Sequence, residues 1–192
     1  MVLDNLKAYN IILASQSPRR QELLKGLNID FTTEVRSVEE VYPDTLAPKD
    51  VPIFLSELKA SVFNELADND LIITSDTVVI NQGNVLGKPS SREEAYEMIA
   101  SLSANTHQVV TGVTIKTKQE VRSFASTTEV TFCALTDDEI NFYIDQYKPF
   151  DKAGAYGIQE WIGYIGISEI KGSYFNVMGL PVQPLYQALK NI

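Results

Sequence analysis

The spacing of hydrophobic residues changes repeatedly along this 192-residue chain, and those changes narrow the set of folds that the chain can adopt. Residues 71–80 form a β-branched run that is typical of a buried strand. Residues 50–67 instead carry apolar side chains three and four positions apart, as an amphipathic helix does. Segments of the two kinds alternate, without repeats or a linker that would separate domains. The pattern therefore predicts one mixed α/β domain over residues 1–192, with functional side chains at its strand ends.

The same spacing rules, together with helix-capping residues, predict the other elements. Strands are expected at 11–14, 31–35, 85–86, 109–116, 121–126, 130–135, 164–170 and 174–177. Helices are expected at 21–27, 90–102, 136–147 and 182–190. Thr136 followed by Glu139 is a capping box, and the glycine-rich segment 151–159 is expected to be a loop.

Charge and the scarcity of cysteine and histidine exclude several classes of protein. The chain has 16 Lys and Arg against 25 Asp and Glu, a net charge of −9 that repels nucleic acid and anionic membranes. With Cys133 and His107 as its only cysteine and histidine, it cannot assemble a zinc site of four nitrogen or sulfur ligands. A metal would be held by oxygen, which suits Mg²⁺ or Mn²⁺. Cys133 is expected to be a small buried hydrophobe and His107 to be structural.

Hydropathy predicts a soluble protein. The sequence has no apolar run of the ~20 residues that a membrane-spanning helix needs. Its first 20 residues lack the apolar core of a signal peptide. We therefore expect a cytoplasmic location.

The segment from Ser17 to Arg20 places positive charge where a helix usually avoids it. Ser17 and Pro18 are typical first residues of a helix. Arg19 and Arg20 then fall in its first turn, where the helix dipole is already positive and acidic residues are preferred. An anion bound by the backbone amides, the serine hydroxyls and both guanidinium groups would remove the conflict, which indicates a phosphate site. The alternative is that both arginines are solvated or paired with carboxylates.

Lys59 and Asp76 also stand out, because each lies among apolar residues. Lys59 lies on the apolar face of the helix predicted at 50–67 and either extends its ammonium group into water or places it at an internal anion site. Asp76 interrupts the strand predicted at 71–80, where an ionised carboxylate needs a cation such as a metal or a lysine. Such a carboxylate can also accept a proton from water, although a local turn at a strand end is the alternative explanation.

Two nucleotide-binding motifs are excluded by their spacing. Gly83 and Gly87 are separated by three residues instead of four, and Pro89 stands where a Walker loop has Ser or Thr. Lys88 remains available as a partner for phosphate or carboxylate. No glycine fingerprint of a dinucleotide-binding fold is present.

The sequence gives only weak signals for a hydrolase triad and for a magnesium ligand outside the strand that carries Asp76. Ser15 or Ser17 with His107 would resemble a hydrolase triad, but no nucleophile-elbow motif accompanies them. The pair Glu39 and Glu40 follows the strand predicted at 31–35. It either forms a solvated turn or offers a carboxylate that a magnesium site opposite Asp76 would need.

A set of motifs distributed over nearly the whole chain carries a family resemblance. In order, the motifs are ILASQSPRRQELL at 12–24, VEE at 38–40, LKA at 58–60, SDTVV at 75–79, LGKP at 86–89, H-x-V-x-T-G-V at 107–113, DKAGAYGIQ at 151–159 and GSYFNVMGLP at 172–181. Together they resemble the Maf family of nucleoside triphosphate pyrophosphatases. The resemblance implies a Maf/ITPase-like α/β fold, with an elongated mixed β-sheet flanked by helices and two lobes around a central nucleotide cleft, and often a homodimer.

The resemblance also implies roles for individual residues. The family's phosphate-binding signature matches Ser15, Ser17, Arg19 and Arg20. Its charged catalytic set matches Glu39, Lys59, Asp76 and Lys88. Asp76 matches the family's proton acceptor, and we expect Mg²⁺ or Mn²⁺ to be held by Asp76 and Glu39. Water would then attack the α-phosphorus and release a nucleoside monophosphate and pyrophosphate.

The family divides into branches according to the residues at three positions. In this chain the three are Arg19, Thr77 and Gln159, which resembles the dTTP/UTP branch. The Gln159 amide can both donate and accept hydrogen bonds, which suits a pyrimidine edge. Ser75 stands where that branch usually has alanine. Glu160 and Trp161 replace smaller residues, so we expect a different shape for the loop beside the base.

Two other functions use the same residues. A nucleotide-sensing regulator linked to septum formation would bind triphosphate without hydrolysing it. A general phosphatase would release inorganic phosphate. For a pyrophosphatase, the physiological substrates would be dTTP and UTP themselves or modified pyrimidine nucleotides removed by house-cleaning.

Overall fold

Strands and helices alternate along the chain, as the hydrophobic spacing predicts. The computed structural model describes residues 3–192. Within this part the strands are β1 (Asn10–Leu13), β2 (Thr32–Thr33), β3 (Asp70–Asn81), β4 (Asn84–Leu86), β5 (Thr106–Lys116), β6 (Val121–Phe132) and β7 (Ile167–Lys171). The α-helices are α1 (Pro18–Lys25), α2 (Val51–Ser61), α3 (Arg92–Leu102), α4 (Asp137–Tyr147), α5 (Trp161–Gly166), α6 (Tyr174–Met178) and α7 (Val182–Lys190). Short 3₁₀ helices cover Asp4–Ala8 and Ala153–Ala155.

The seven strands form one mixed sheet flanked by helices, as predicted. The strand order is β2-β1-β3-β5-β6-β7, and β4 pairs antiparallel with β3. Strand β1 runs parallel to β2 and β3, with Ile11 opposite Leu71. The consecutive residues Ile72 and Ile73 are fully buried, which is typical of a strand covered on both faces. Because β1 and β3 run in the same direction, the residues after Leu13 lie beside the continuation of β3.

Residue contacts divide the chain into two compact units. Unit 1 comprises Met1–Asp76, described from residue 3, with Thr111–Ser126 and Gly179–Ile192. Unit 2 comprises Thr77–Val110 and Thr127–Met178. Strands β3, β5 and β6 each contribute residues to both units.

Each unit has buried apolar residues of its own. In unit 1, Ile12 and Ile72 of adjacent strands pack with Phe63. In unit 2, α3 and α4 pack against β5, β6 and the loop at 151–159, and the buried residues include Ile99, Tyr143 and Tyr156. Within residues 3–192 we find no helix that combines the length and the apolar character required to span a membrane.

Several predicted elements are present with shifted ends. Helix α1 begins at Pro18, with Ser17 as its cap, and α2 ends at Ser61 instead of residue 67. The capping box at α4 is confirmed, because the Thr136 hydroxyl accepts a hydrogen bond from the Glu139 N–H at 3.3 Å and the Glu139 carboxylate accepts one from the Thr136 N–H at 2.8 Å. The strands predicted at 121–126 and 130–135 are both part of β6.

Two sequence predictions are wrong, and a third is correct only in part. Of the strand predicted at 164–170, residues 167–170 lie in β7, whereas residues 164–166 end α5, because a short apolar run fits both periods. The segment at 174–177 is helical, and the Ser173 hydroxyl accepts a hydrogen bond from the Asn176 N–H at its start (3.3 Å). Cys133 is exposed instead of buried, because β6 ends one residue before it.

Candidate active site

The turn from β1 to α1 brings two serines and two arginines together in unit 1. The buried Ser15 hydroxyl accepts a hydrogen bond from the Ser17 N–H at 3.2 Å. The Ser17 hydroxyl accepts one from the Arg20 N–H at 3.5 Å, as a helix cap does. Arg19 and Arg20, both half-buried, lie in the first turn of α1, which contains no acidic residue. The backbone amides and the two cations therefore concentrate positive charge at one helix terminus.

Arg20 is held by the backbone of the segment that precedes α7. Its Nε donates a hydrogen bond to the Gly179 carbonyl at 2.8 Å, and the buried Ser75 hydroxyl donates to the same oxygen at 3.2 Å. Burial lowers the pKa of Arg20, the nearby carboxylates of Asp76 and Glu40 raise it, and Arg19 lowers it. Arginine remains cationic at neutral pH, so Arg20 is a charged, oriented group beside Asp76.

A lysine and two carboxylates form a compact cluster next to this turn. Lys59 Nζ lies 2.5 Å from Asp76 Oδ1 and 3.0 Å from Glu40 Oε2. The Lys59 and Asp76 side chains are 18% and 13% exposed, so the ion pair is largely shielded from water. The ammonium group of Lys59 is thus engaged by carboxylates, and it supplies the cation that a carboxylate inside a strand requires.

Tight packing of α2 against β5 positions Lys59. A Cβ atom at Gly112 would lie 2.2 Å from the Pro52 carbonyl oxygen, so only glycine permits this approach of strand to helix. The buried Thr74 hydroxyl donates to the Ser56 carbonyl at 2.7 Å, and the Ser56 and Thr114 hydroxyls lie 2.8 Å apart. These contacts fix α2 on the sheet and hold Lys59 over β3.

The two glutamates of the 39–40 pair differ in their surroundings. Both side chains are exposed, but Glu40 forms an ion pair with Lys59. The family resemblance selected Glu39 from the pair, whereas the structure brings Glu40 to Lys59. The adjacent pair was the available signal, because neighbouring side chains in an extended segment point in opposite directions and one of the two can face the cluster.

The donor set suits a divalent cation that shares its coordination with a substrate. Within residues 3–192 no group of three or more His, Cys, Asp or Glu side chains is arranged to hold a metal. Asp76 and Glu40, however, already converge on the cationic Nζ of Lys59. Two carboxylates with water and phosphate oxygens are typical magnesium ligands, so these residues fit Mg²⁺ or Mn²⁺.

The remaining candidate residues belong to unit 2. Thr77 follows Asp76 directly on β3 and is half-buried. Lys88 is exposed in the loop between β4 and α3, and the Gly154 N–H holds that loop by donating to the Gly87 carbonyl at 2.9 Å. Gln159 is half-buried, and its amide has no hydrogen-bond partner within residues 3–192. Lys88 and the loop that carries Gln159 therefore share one hydrogen-bonded region of unit 2.

The surroundings of His107 do not fit a hydrolase triad. His107 is 2% exposed, and its Nε2 lies 2.7 Å from the Tyr156 hydroxyl. Its Nδ1 has no hydrogen-bond partner in the described part of the chain, so the aspartate that orients a catalytic histidine is missing. The ring stacks on Phe132 at 5.5 Å, and burial lowers its pKa to about 4. His107 therefore has the structural role that the sequence predicts.

A family model described as "Maf-like protein" matches residues 10–192. The chain belongs to the Maf family. Among curated Maf relatives named "dTTP/UTP pyrophosphatase", the protein of Parabacteroides distasonis is 53% identical over 192 residues, which cover 99% of this chain and 100% of that protein. The protein of Phocaeicola vulgatus is 53% identical with full coverage of both chains, and that of Flavobacterium johnsoniae is 48% identical, also with full coverage. These relatives confirm the resemblance inferred from the sequence motifs.

Two solved structures have a similar fold at much lower sequence identity. The Ham1 protein of Staphylococcus aureus aligns with a TM-score of 0.52 and 18% identity, over 95% of this chain and 98% of that chain. A HAM1 protein from Coxiella burnetii aligns with a TM-score of 0.51 and 16% identity, over 96% and 100%. At this level of identity the likeness concerns the fold alone.

Proposed function

We propose that this Maf-family chain hydrolyses nucleoside triphosphates, with dTTP and UTP as preferred substrates, to nucleoside monophosphate and pyrophosphate. The observation that carries the proposal is the largely shielded Lys59–Asp76 ion pair, which Glu40 also contacts, beside Arg20. The names of the relatives that are about half identical to this chain support the choice of substrate.

The positive residues bind and neutralise the triphosphate. Ser15, Ser17, Arg19 and Arg20 bind phosphate oxygens at the start of α1, where amide N–H groups and guanidinium groups favour an anion. Lys59 and Lys88 neutralise charge on the phosphates and on the departing pyrophosphate.

Asp76 acts as the general base in this proposal. The ion pair with Lys59 orients its carboxylate, which accepts the proton of the water that attacks the α-phosphorus. We propose that Asp76 and Glu40, or Glu39 of the same pair, hold Mg²⁺ or Mn²⁺. A bound divalent ion lowers the pKa of a coordinated water and screens phosphate charge.

Arg19, Thr77 and Gln159 select the base in this proposal. The Gln159 amide can donate to a carbonyl of uracil or thymine and accept from its ring N–H, whereas in cytosine the donor and the acceptor at the corresponding positions are exchanged. We further propose that residues 1–192 act as one catalytic domain in the cytoplasm, where nucleotide pools are made. All four residues that match the family's charged catalytic set, including the base Asp76, are present in this chain. Their presence favours catalysis over nucleotide sensing, since binding alone does not need a base.

The test is a product assay with dTTP, UTP, CTP, dATP, GTP and 7-methyl-GTP in Mg²⁺ or Mn²⁺. We expect monophosphate and pyrophosphate, formed fastest from dTTP and UTP, and loss of activity in EDTA that added Mg²⁺ reverses. Asp76→Asn should lower kcat at least about 100-fold, because it removes the base. Asp68→Asn, an exposed carboxylate of unit 1, is the matched control and should leave kcat unchanged.

Other products would identify other functions. Inorganic phosphate as the first product would indicate a phosphatase. Nucleotide binding without turnover would favour the regulator. High activity of Asp76→Asn at saturating metal would overturn the assignment of the base.

A further inference from the structure

The backbone around Gln159 is held by three side chains that the proposed mechanism does not use. We name Tyr143, Lys152 and Glu160 the Tyr143 cluster. The Tyr143 ring is fully buried in unit 2. Its hydroxyl accepts a hydrogen bond from the Gly157 N–H at 2.9 Å and donates a short one to Glu160 Oε2. One hydroxyl thus joins the residues on both sides of Gln159.

The second oxygen of Glu160 is also engaged. Lys152 Nζ lies 3.1 Å from Glu160 Oε1 and 2.7 Å from Asp151 Oδ1. Lys152 is 8% exposed, and a buried ammonium group requires such partners. The Glu160 N–H donates to the Gly157 carbonyl at 3.0 Å. Both the main chain and the side chain of Glu160 are therefore fixed.

Helix α4 also contacts Trp161, the residue that follows Glu160. Phe142 packs edge-on against Trp161, with ring centroids 4.8 Å apart. Successive residues of α4, Phe142 and Tyr143, thus anchor the successive residues Glu160 and Trp161.

Close packing leaves the loop little freedom to rearrange. A Cβ atom at Gly157 would lie 2.9 Å from the Glu160 carboxyl carbon. A Cβ atom at Gly163 would lie 1.8 Å from the Ile158 carbonyl oxygen. Ile158 itself is buried, whereas the neighbouring Gln159 is half-buried with its amide unpaired within residues 3–192. The loop therefore presents an amide without an internal partner from a constrained backbone.

We propose that Tyr143, Lys152 and Glu160 are positioning residues that hold Gln159 for recognition of uracil and thymine, and so set the base selectivity of this enzyme. The inference rests on the proposed function. Its physical basis is preorganisation: a side chain on a fixed backbone loses less entropy on binding and keeps its donor and acceptor correctly aimed. Glu160 acts through Gln159 and need not touch the nucleotide.

The first test compares Tyr143→Phe with the matched control Tyr147→Phe. Tyr147 stacks on Tyr143 at 5.1 Å on the same helix but is 39% exposed. We expect Tyr143→Phe to lower the ratio of kcat/KM for UTP to that for CTP by about threefold to tenfold, which corresponds to the net contribution of one typical hydrogen bond. The loss should come mainly from a higher KM for UTP, with kcat nearly unchanged. Tyr147→Phe should keep the wild-type ratio.

A double-mutant cycle tests whether the cluster acts through Gln159. Tyr143→Phe should change base selectivity in the wild-type background and have no further effect in Gln159→Ala, because the group being positioned is then absent. Glu160→Gln retains an acceptor for the Tyr143 hydroxyl and should keep more selectivity than Glu160→Ala. Glu160 is only partly buried, so Glu160→Gln also provides a readout if Tyr143→Phe fails to fold.

The outcomes separate the inference from the proposed function. An unchanged UTP/CTP ratio in folded Tyr143→Phe and Glu160→Ala, with lower thermal stability alone, would show a purely structural role and overturn the inference. Equal effects of Tyr143→Phe with and without Gln159 would also overturn it. Failure of the wild-type protein to release pyrophosphate from any triphosphate would instead contradict the proposed function.

Discussion

At the candidate site, the residues most easily recognised from the sequence are charged residues within apolar segments. Lys59 and Asp76 are conspicuous because a charge among apolar residues is unfavourable without a partner, and the structure pairs the two at 2.5 Å. Ser75 is buried and donates to the carbonyl that also binds Arg20. The hydroxyl of Ser75 therefore contributes to holding Arg20.

At the same scale, the buried His107 should make the free energy of unfolding depend on pH. Its pKa is about 4 in the folded chain and near the ordinary value of 6.5 when unfolded. Between these values the unfolded state binds a proton that the folded state does not. The stabilising contribution of neutral His107 to the folded state is thus complete above pH 6.5 and is lost as the pH falls toward 4. Linkage gives a loss of about 3 kcal/mol in the free energy of unfolding over this range.

The measurement is urea denaturation of the wild type and of His107→Gln at several pH values from 4 to 7. The difference between the two proteins cancels the titration of carboxylates that they share. We expect that difference to change with pH in the stated direction, since glutamine does not titrate. A constant difference across the range would contradict the assignment.

Among the elements, helix α2 depends on a single glycine for its position. At Gly112 a side chain would collide with the Pro52 backbone, which cannot move without shifting the whole helix and Lys59 with it. We expect Gly112→Ala to lower the free energy of unfolding by about 1–3 kcal/mol, as overpacking does, and to lower kcat as well. Urea denaturation and the pyrophosphate assay measure the two effects.

Gly26→Ala is the control for this substitution. Gly26 follows α1 with an ordinary φ of −61°. A Cβ atom at this position would have the Leu23 carbonyl oxygen as its nearest neighbour, at 3.3 Å. Its replacement should change stability and kcat far less than that of Gly112. Similar effects at both positions would show that the approach of β5 to α2 has no special importance.

The elements also show where hydrophobic spacing is insufficient. The long β3 and the capped α3 and α4 follow their predicted limits closely, because many residues or a specific capping pair define each. The segment of α5 is only six residues long and contains two glycines, so its spacing does not distinguish helix from strand. Contacts with the preceding loop decide its conformation.

For the whole molecule, net charge predicts which polyanions are excluded. A charge of −9 opposes association with DNA, although a local group of cations binds a small triphosphate. At physiological salt we expect the dissociation constant for single- or double-stranded DNA to be weaker than about 100 µM, the weak end of non-specific binding. Fluorescence anisotropy with labelled oligonucleotides measures this, and a labelled uridine nucleotide serves as the positive control. A salt-sensitive micromolar affinity would reveal a basic surface that the sequence does not indicate.

The sequence by itself determined the mixed α/β class, the capped helices, the family and most of the charged candidate residues. These properties depend on local spacing, on capping pairs and on the unfavourable energy of a charge in an apolar segment, all of which can be evaluated within a few residues. Tertiary structure alone decided that Glu40, not Glu39, contacts Lys59 and that Tyr143 reaches Glu160, 17 positions away. It also decided that Cys133 is exposed. Such outcomes depend on which distant segments cover a residue, and that is settled only when the helices pack on the sheet.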